Sequence, residues 1–320
     1  MTTLRPLART RVAGAQPPVP PSTESIVTHA SGAVRARRLP ARGRRARGAA
    51  GGPWGRIAAG IVVAVAVLFA LLPVASLVLT SLKGPADILA LRVFPAELAW
   101  SNWSSAFERF PITTYLTNSF AVAGLATLVA LVIAIPANYA IARLRAGGGS
   151  ALGTIVSVYI APPVVAVVPL FLLVRTLGLM DSILGLALVE ALVIVPVVVW
   201  LLDGFFRAVP EEIDEAAALD GCGPVRTLVR IVLPLVMPGV VAVAIIGFVL
   251  VYNDFLIPVI LTQSADSQTL PVGISLMQGG REVMFGQMAA ASLTGMVPVY
   301  VLALLLQRWL VGGLTQGSVK

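Results

Sequence analysis

Six apolar runs, each about as long as a lipid bilayer is thick, recur along this chain, and few folds accept such a pattern. They are Ile57–Leu79, Asn118–Ala142, Leu152–Val174, Ile183 to about Leu202, Val240–Leu261 and Gln287 to about Leu306. At about 1.5 Å of rise per residue, roughly twenty residues cross a hydrocarbon core of about 30 Å. Composition agrees. Of 320 residues, 58% are hydrophobic and 12% charged, whereas soluble domains carry about 25% charged residues. The expected fold is therefore all-α and integral to the membrane, with six transmembrane helices.

The scarce residue types exclude several chemistries. Cys222 is the only cysteine, so no internal disulfide forms, and its place in a Gly-rich turn suits a small filler better than a nucleophile. His29, the only histidine, lies in a polar tail, which removes a histidine-based metal site or catalytic dyad. Lys83 and Lys320 are the only lysines, and neither stands in a G-x-x-x-x-G-K-[ST] loop. Any ATP hydrolysis must then come from another chain.

Residues 1–55 are rich in Arg, Ala, Gly and Pro, with seven arginines between Arg35 and Arg47. Such a segment has little to bury and is expected to be a disordered basic tail ahead of a membrane domain over 56–320. Next to a span it would attract anionic lipid headgroups. Nucleic-acid binding is disfavoured because no aromatics interleave the basic residues. The first apolar run exceeds a signal-peptide core and lacks a small-x-small cleavage site, so it reads as an uncleaved anchor. Assigning Lys and Arg to alternate sides puts 18 with the two termini and five on the other side. The positive-inside rule then places both termini, the Gly147–Gly149 turn and the 210–234 loop in the cytoplasm. Prolines interrupt the spans at Pro136, Pro162, Pro163, Pro196, Pro258 and Pro298, where kinks are the simplest expectation.

The polar stretch from Pro210 to Gly239 reads as a helix–turn–helix. Glu211, Glu212, Asp214 and Glu215 crowd a first turn, where the helix dipole favours negative charge. Asp220-Gly221-Cys222-Gly223 is a turn, with Gly221 suited to a left-handed closing position. Pro224 restarts a helix whose Val225, Leu228, Val229 and Val232 have amphipathic spacing, and Pro234 and Pro238 are expected to end it. By composition alone this is an amphipathic loop on the membrane surface. Its spacing is more specific. Glu215-Ala216-Ala217, then Gly221, then Ile231 and Leu233-Pro234 resembles the EAA loop of importer-type ABC permeases. The resemblance implies a coupling helix that docks on a separate ATPase subunit, with Glu215 the docking carboxylate, Ala216 and Ala217 the close-contact face, and Asp220-Gly221 the turn.

Over roughly residues 57–320 the chain also resembles the maltose-type sugar permeases. Tyr115-Leu116-Thr117-Asn118-Ser119 resembles the start of their second span. Pro163 to Leu170 and Leu177-Gly178-Leu179-Met180-Asp181 resemble the third span and its loop. Tyr252-Asn253-Asp254-Phe255 resembles a W-N-D-F box with Tyr in place of Trp, and Gly313–Lys320 resembles the closing tail. The family implies a non-enzymatic inner-membrane subunit that imports a sugar or sugar-like solute. Its partners would be a homologous permease, a dimeric ATPase that binds the ATP and Mg, and an extracytoplasmic solute-binding protein. An ABC permease for a non-sugar solute is the alternative. A secondary transporter needs midplane ion-coupling groups, and only Glu190 and Asp254 lie inside expected spans. An intramembrane hydrolase would need a nucleophile with a base, and the absence of an intramembrane His or Cys argues against the common versions. Glu190 and Asp254 sit at similar depths on neighbouring spans. Asn253 and Asp254, beside an expected break at Pro258, are candidates for the wall of the solute path, with Glu190 either on that path or hydrogen-bonded within the bundle.

Overall fold

The computed structural model describes residues 53–160, 163–278 and 283–316. Two compact units divide the chain, residues 1–62 and 63–320. Of the first, only the opening turns of helix α1 (Pro53–Ser81) are described, with Trp54, Ile57 and Ile61 exposed. The expected tail therefore lies outside the described residues except for positions 53–55, which are already helical. The second unit continues through α2 (Pro85–Leu89), α3 (Ser101–Arg109), α4 (Ile112–Ala142), α5 (Ala151–Ile160), α6 (Pro163–Thr176) and α7 (Ile183–Ala208). After these come α8 (Glu212–Leu219), α9 (Pro224–Thr227), a π turn (Leu228–Val232), α10 (Leu233–Tyr252), α11 (Leu256–Leu261), α12 (Leu270–Leu276) and α13 (Phe285–Gln316). No strand occurs among the described residues.

Among the described residues, five helical segments are long and apolar enough to cross a membrane: α1, α4, α7, the continuous stretch Pro224–Tyr252, and α13. A sixth crossing is reached if α5 and α6 count together, but they meet at 86°. The expected third span is thus described as two helices at 86° to each other, α5 ending at Ile160 and α6 starting at Pro163. A proline cannot donate to the carbonyl four residues back, yet it suits a first helical position, and α6 starts at Pro163. Pro169 stays within α6 without ending it.

The core is built on α4 and α7, the most extensive helix pair. Along α4, Ser119, Ala123, Ala126, Ala130 and Ala134 are buried and recur at three- and four-residue spacing. Against them stand Ala187, Ala191, Ile194, Val198 and Leu202 of α7. In lipid there is little hydrophobic gain in pairing two apolar helices, so close approach of small residues supplies the packing. Helix α10 joins at Gly247, where an added Cβ would lie 3.5 Å from Thr127 Cγ2 and 3.7 Å from Ile194 Cδ1. Phe120, Phe248 and Tyr252 form an aromatic cluster with centroids 5.4–5.9 Å apart.

At the end of the bundle away from α8, polar side chains organise the segment after α11. Asn118 Nδ2 donates to the carbonyls of Ala265 (3.0 Å) and Gln268 (2.9 Å), and Ser119 Oγ accepts from Leu270 N at 2.8 Å. Asp181 Oδ1 accepts from Gln263 N (2.7 Å), Ser264 N (2.9 Å) and the Ser267 hydroxyl. These donors hold the Asp181 carboxyl well below the usual carboxylate range, the Ser267 hydroxyl first among them. The stretch between the expected fifth and sixth spans thus contains a half-buried helix, α12, with Leu270, Val272 and the capping Met277 packed inward.

Two further expectations are corrected. Pro234 and Pro238 do not end a helix, because α9, the π turn and α10 run on without a break into the expected fifth span. Pro234 leaves the Arg230 carbonyl without its usual donor, and the wider π turn immediately before it absorbs that gap in the ladder. The span then ends early, at Tyr252 rather than Leu261. Helix α13, which holds the expected sixth span, continues to Gln316, and residues 317–320 lie outside the described residues.

Candidate functional site

Helix α8 lies between the ends of α7 and α9, on the same side of the bundle as the last turn of α4. Its first turn carries Glu212, Asp214 and Glu215, and Gly221 closes its other end at φ +74°. Cys222 N reaches back to the Ala217 carbonyl (2.9 Å) and Gly221 N to that of Ala218 (3.0 Å), the paired bonds of a Schellman cap. Only a residue tolerant of the left-handed region permits that closure.

Among the residues expected to dock, Glu215, Ala216, Asp220 and Gly221 are exposed, while Ala217 is buried against the chain itself. Ala216 and Ala217 therefore do not share one face, as successive helical residues point about 100° apart. The exposed side also carries Leu219, 90% exposed, and beyond the turn Val225, 74% exposed. Val225 and Val229 are exposed whereas Leu228 and Val232 are buried, so the four apolar residues of the second helix divide between two faces. Ile231 belongs to the π turn, and Leu233 and Pro234 open α10.

Sequence reasoning missed the residues that hold α8 in place. Tyr139 and Arg143 stand one turn apart at the end of α4. The Tyr139 hydroxyl donates to Asp214 Oδ1 at 3.0 Å, with Thr227 of α9 beside it. Arg143 is buried, its side chain 4% exposed, and Nε lies 3.4 Å from Asp214 Oδ2 in an ion pair. The same guanidinium donates through Nη2 to the Val209 carbonyl at the end of α7. The available signal was the i, i+4 pairing of a hydroxyl and a cation closing an apolar run, opposite an acid-rich helix start.

The pathway candidates separate. Asp254 is not inside a helix: residues 253–255 break α10 from α11, and Asp254 Oδ2 accepts from Ile257 N at 3.0 Å. The break falls one turn before the expected Pro258, which sits in α11 and has no N–H to offer the Asp254 carbonyl four residues earlier. Glu190 of α7 is 2% exposed and its Oε1 has no hydrogen-bond partner among the described residues. Its near neighbour is the Asp254 carboxyl, although no bond of good geometry joins them. Asn253 instead is exposed, donates to the Val249 carbonyl at 2.8 Å and borders a cleft of about 600 Å³ with Tyr252, Ser292 and Tyr300. Neither Glu190 nor Asp254 lines that cleft. Tyr252 turns its hydroxyl to the Gly295 carbonyl of α13 at 2.9 Å, which ties the cleft's two walls together.

Long apolar helices packed through small residues, with a charged helical arm at one end, define a multi-pass helical membrane protein. The chain belongs to the family of binding-protein-dependent transport system inner membrane components, whose model matches residues 126–316. It is 35% identical to the sulfoquinovosyl glycerol transport system permease protein SmoH of Agrobacterium fabrum, over 81% of this chain and 92% of that protein. It is 31% identical to the diacetylchitobiose uptake system permease protein DasC of Streptomyces coelicolor, over 83% and 98%. With the trehalose transport system permease protein SugB of Mycobacterium tuberculosis it shares 32% over 79% and 93%. A chain from the crystal structure of a bacterial ABC transporter involved in import of the acidic polysaccharide alginate shares the fold. Its TM-score is 0.65 at 19% identity, covering 79% of this chain and 95% of that one.

Proposed function

We propose that this permease imports a carbohydrate, as one of two homologous membrane subunits served by a dimeric ATPase and an extracytoplasmic solute-binding protein. ATP and Mg would be bound by the ATPase. Both termini and α8 would face the cytoplasm. The observation that carries the reading is the exposed face of α8, where Leu219 stands uncovered near Glu215 and Ala216, with exposed Val225 just beyond the turn on α9. An apolar side chain that exposed on a charged helix is stabilised by a partner's groove. The Gly221 cap fixes the helix's length and the direction in which that face points. Asp220 completes the turn, while Ile231, Leu233 and Pro234 join the arm to α10 and so to the cleft beside Asn253. A carbohydrate is favoured because the relatives named above carry sugar or sugar-derived solutes by their names, and because amide and hydroxyl groups at Asn253, Ser292 and Tyr300 suit hydroxylated solutes. Glu190 and Asp254 are the less direct pathway candidates, set away from the cleft.

The test has two parts. Thermal-shift screening of the cognate binding protein against mono- and disaccharides should return a stabilising sugar that the whole transporter accumulates. Glu215→Lys should then abolish that accumulation while the subunit remains inserted. Normal uptake by a well-expressed Glu215→Lys protein would remove the docking assignment.

A further inference from the structure

We infer that Tyr139, Arg143 and Asp214 form the joint through which displacement of α8 reaches the α4–α7 pair; the inference rests on α8 being the ATPase-docking helix. Three elements meet at these side chains. Tyr139 belongs to the last turn of α4 and Arg143 caps it, Asp214 belongs to the first turn of α8, and Val209, whose carbonyl is used, caps α7. Asp214 takes the Tyr139 hydroxyl on one oxygen and faces the Arg143 guanidinium with the other. Arg143 also holds the end of α7, so a single buried cation is shared by two helices besides its own.

Burial makes this arrangement stiff. An exposed ion pair slides and exchanges with water, whereas a cation whose side chain is 4% exposed keeps only the Val209 carbonyl when its acid moves away. Tyr139 adds a second, directional tether to the same carboxylate, and Thr227 packs beside it at the end of α9. Helix α8 could in principle act only through the chain that continues it, by way of α9 and the π turn into α10. The joint supplies a second route that bypasses the Gly221 turn. It leads into the α4–α7 pair, the most extensive helix contact in the bundle, closely packed through small residues. Tyr139, Arg143 and Asp214 are thus positioning residues that make α8, α4 and α7 move together.

The test uses the full-length permease in its assembled transporter, with Cys222→Ser and spin labels at Val132→Cys on α4 and Ala218→Cys on α8, both exposed positions. Label separation is measured by pulsed electron resonance without nucleotide and after trapping with ATP and orthovanadate. Copurification of the ATPase and its hydrolysis rate are recorded alongside. The parent should show the same separation in both states, within about 1 Å. Asp214→Asn and Tyr139→Phe should retain the ATPase and its hydrolysis within about twofold, but shift or broaden the separation only on trapping. Unchanged distributions in both variants would overturn the joint, as would a parent whose separation changes on trapping. Loss of the ATPase from both variants, with the parent complex intact, would reduce these residues to shaping the docking face and also overturn it. A parent that never retains an ATPase would instead overturn the docking reading on which the inference rests.

Discussion

Replacing Asp181 by Ala should release the segment that follows α11 without unfolding the bundle. The Asp181 carboxylate accepts three hydrogen bonds from that segment. The Gln263 amide is exposed and exchanges its partner for water at little cost, so it is set near zero. The Ser264 amide and Ser267 hydroxyl are partly buried. Charge-assisted bonds of this kind are worth about 1.5–3 kcal/mol each when fully buried, and roughly half that here. Asp181 also sits at φ +54°, which Ala tolerates about 1 kcal/mol less well. The local loss is then about 3 kcal/mol, or roughly 150-fold in the opening equilibrium. Hydrogen exchange in nanodiscs should show that loss of protection at Ser264. The Leu270 amide, bonded to Ser119 Oγ, serves as the internal control. The carboxyl is held well below its ordinary range in the folded protein, so its contribution is present above the unfolded value of about 3.9. That contribution is lost only as pH falls through the lower folded value. Protection at Ser264, corrected for intrinsic exchange, should therefore be equal at pH 5 and pH 7. Undiminished protection in Asp181→Ala would refute the clamp.

Ala130→Leu forces a large side chain between α4 and α7 at a fully buried position and should cost about 1–3 kcal/mol, read as lost monodispersity and a lower unfolding temperature in detergent. Tyr252→Phe removes the buried bond to the Gly295 carbonyl and should cost about 1 kcal/mol, a fall of roughly 2 °C by the same thermal assay.

Hydropathy alone determined that the chain is helical and where most of its long helices lie, because a bilayer requires both length and internally satisfied backbone groups. Local chemistry likewise marked the Gly221 turn and the acidic start of α8, since a cap depends on a few neighbouring residues. What only the tertiary structure decided concerns residues distant in sequence. That Ala217 faces inward and Ala216 outward depends on what α8 packs against, not on either alanine. The separation of Asn253 from Asp254 depends on a helix break that the next helix's proline displaces by one turn. Tyr139, Arg143 and Asp214 meet although Arg143 and Asp214 lie 71 positions apart. No periodicity within a helix can report such a meeting, because partner choice for a buried charge is settled by which helix ends the fold brings together.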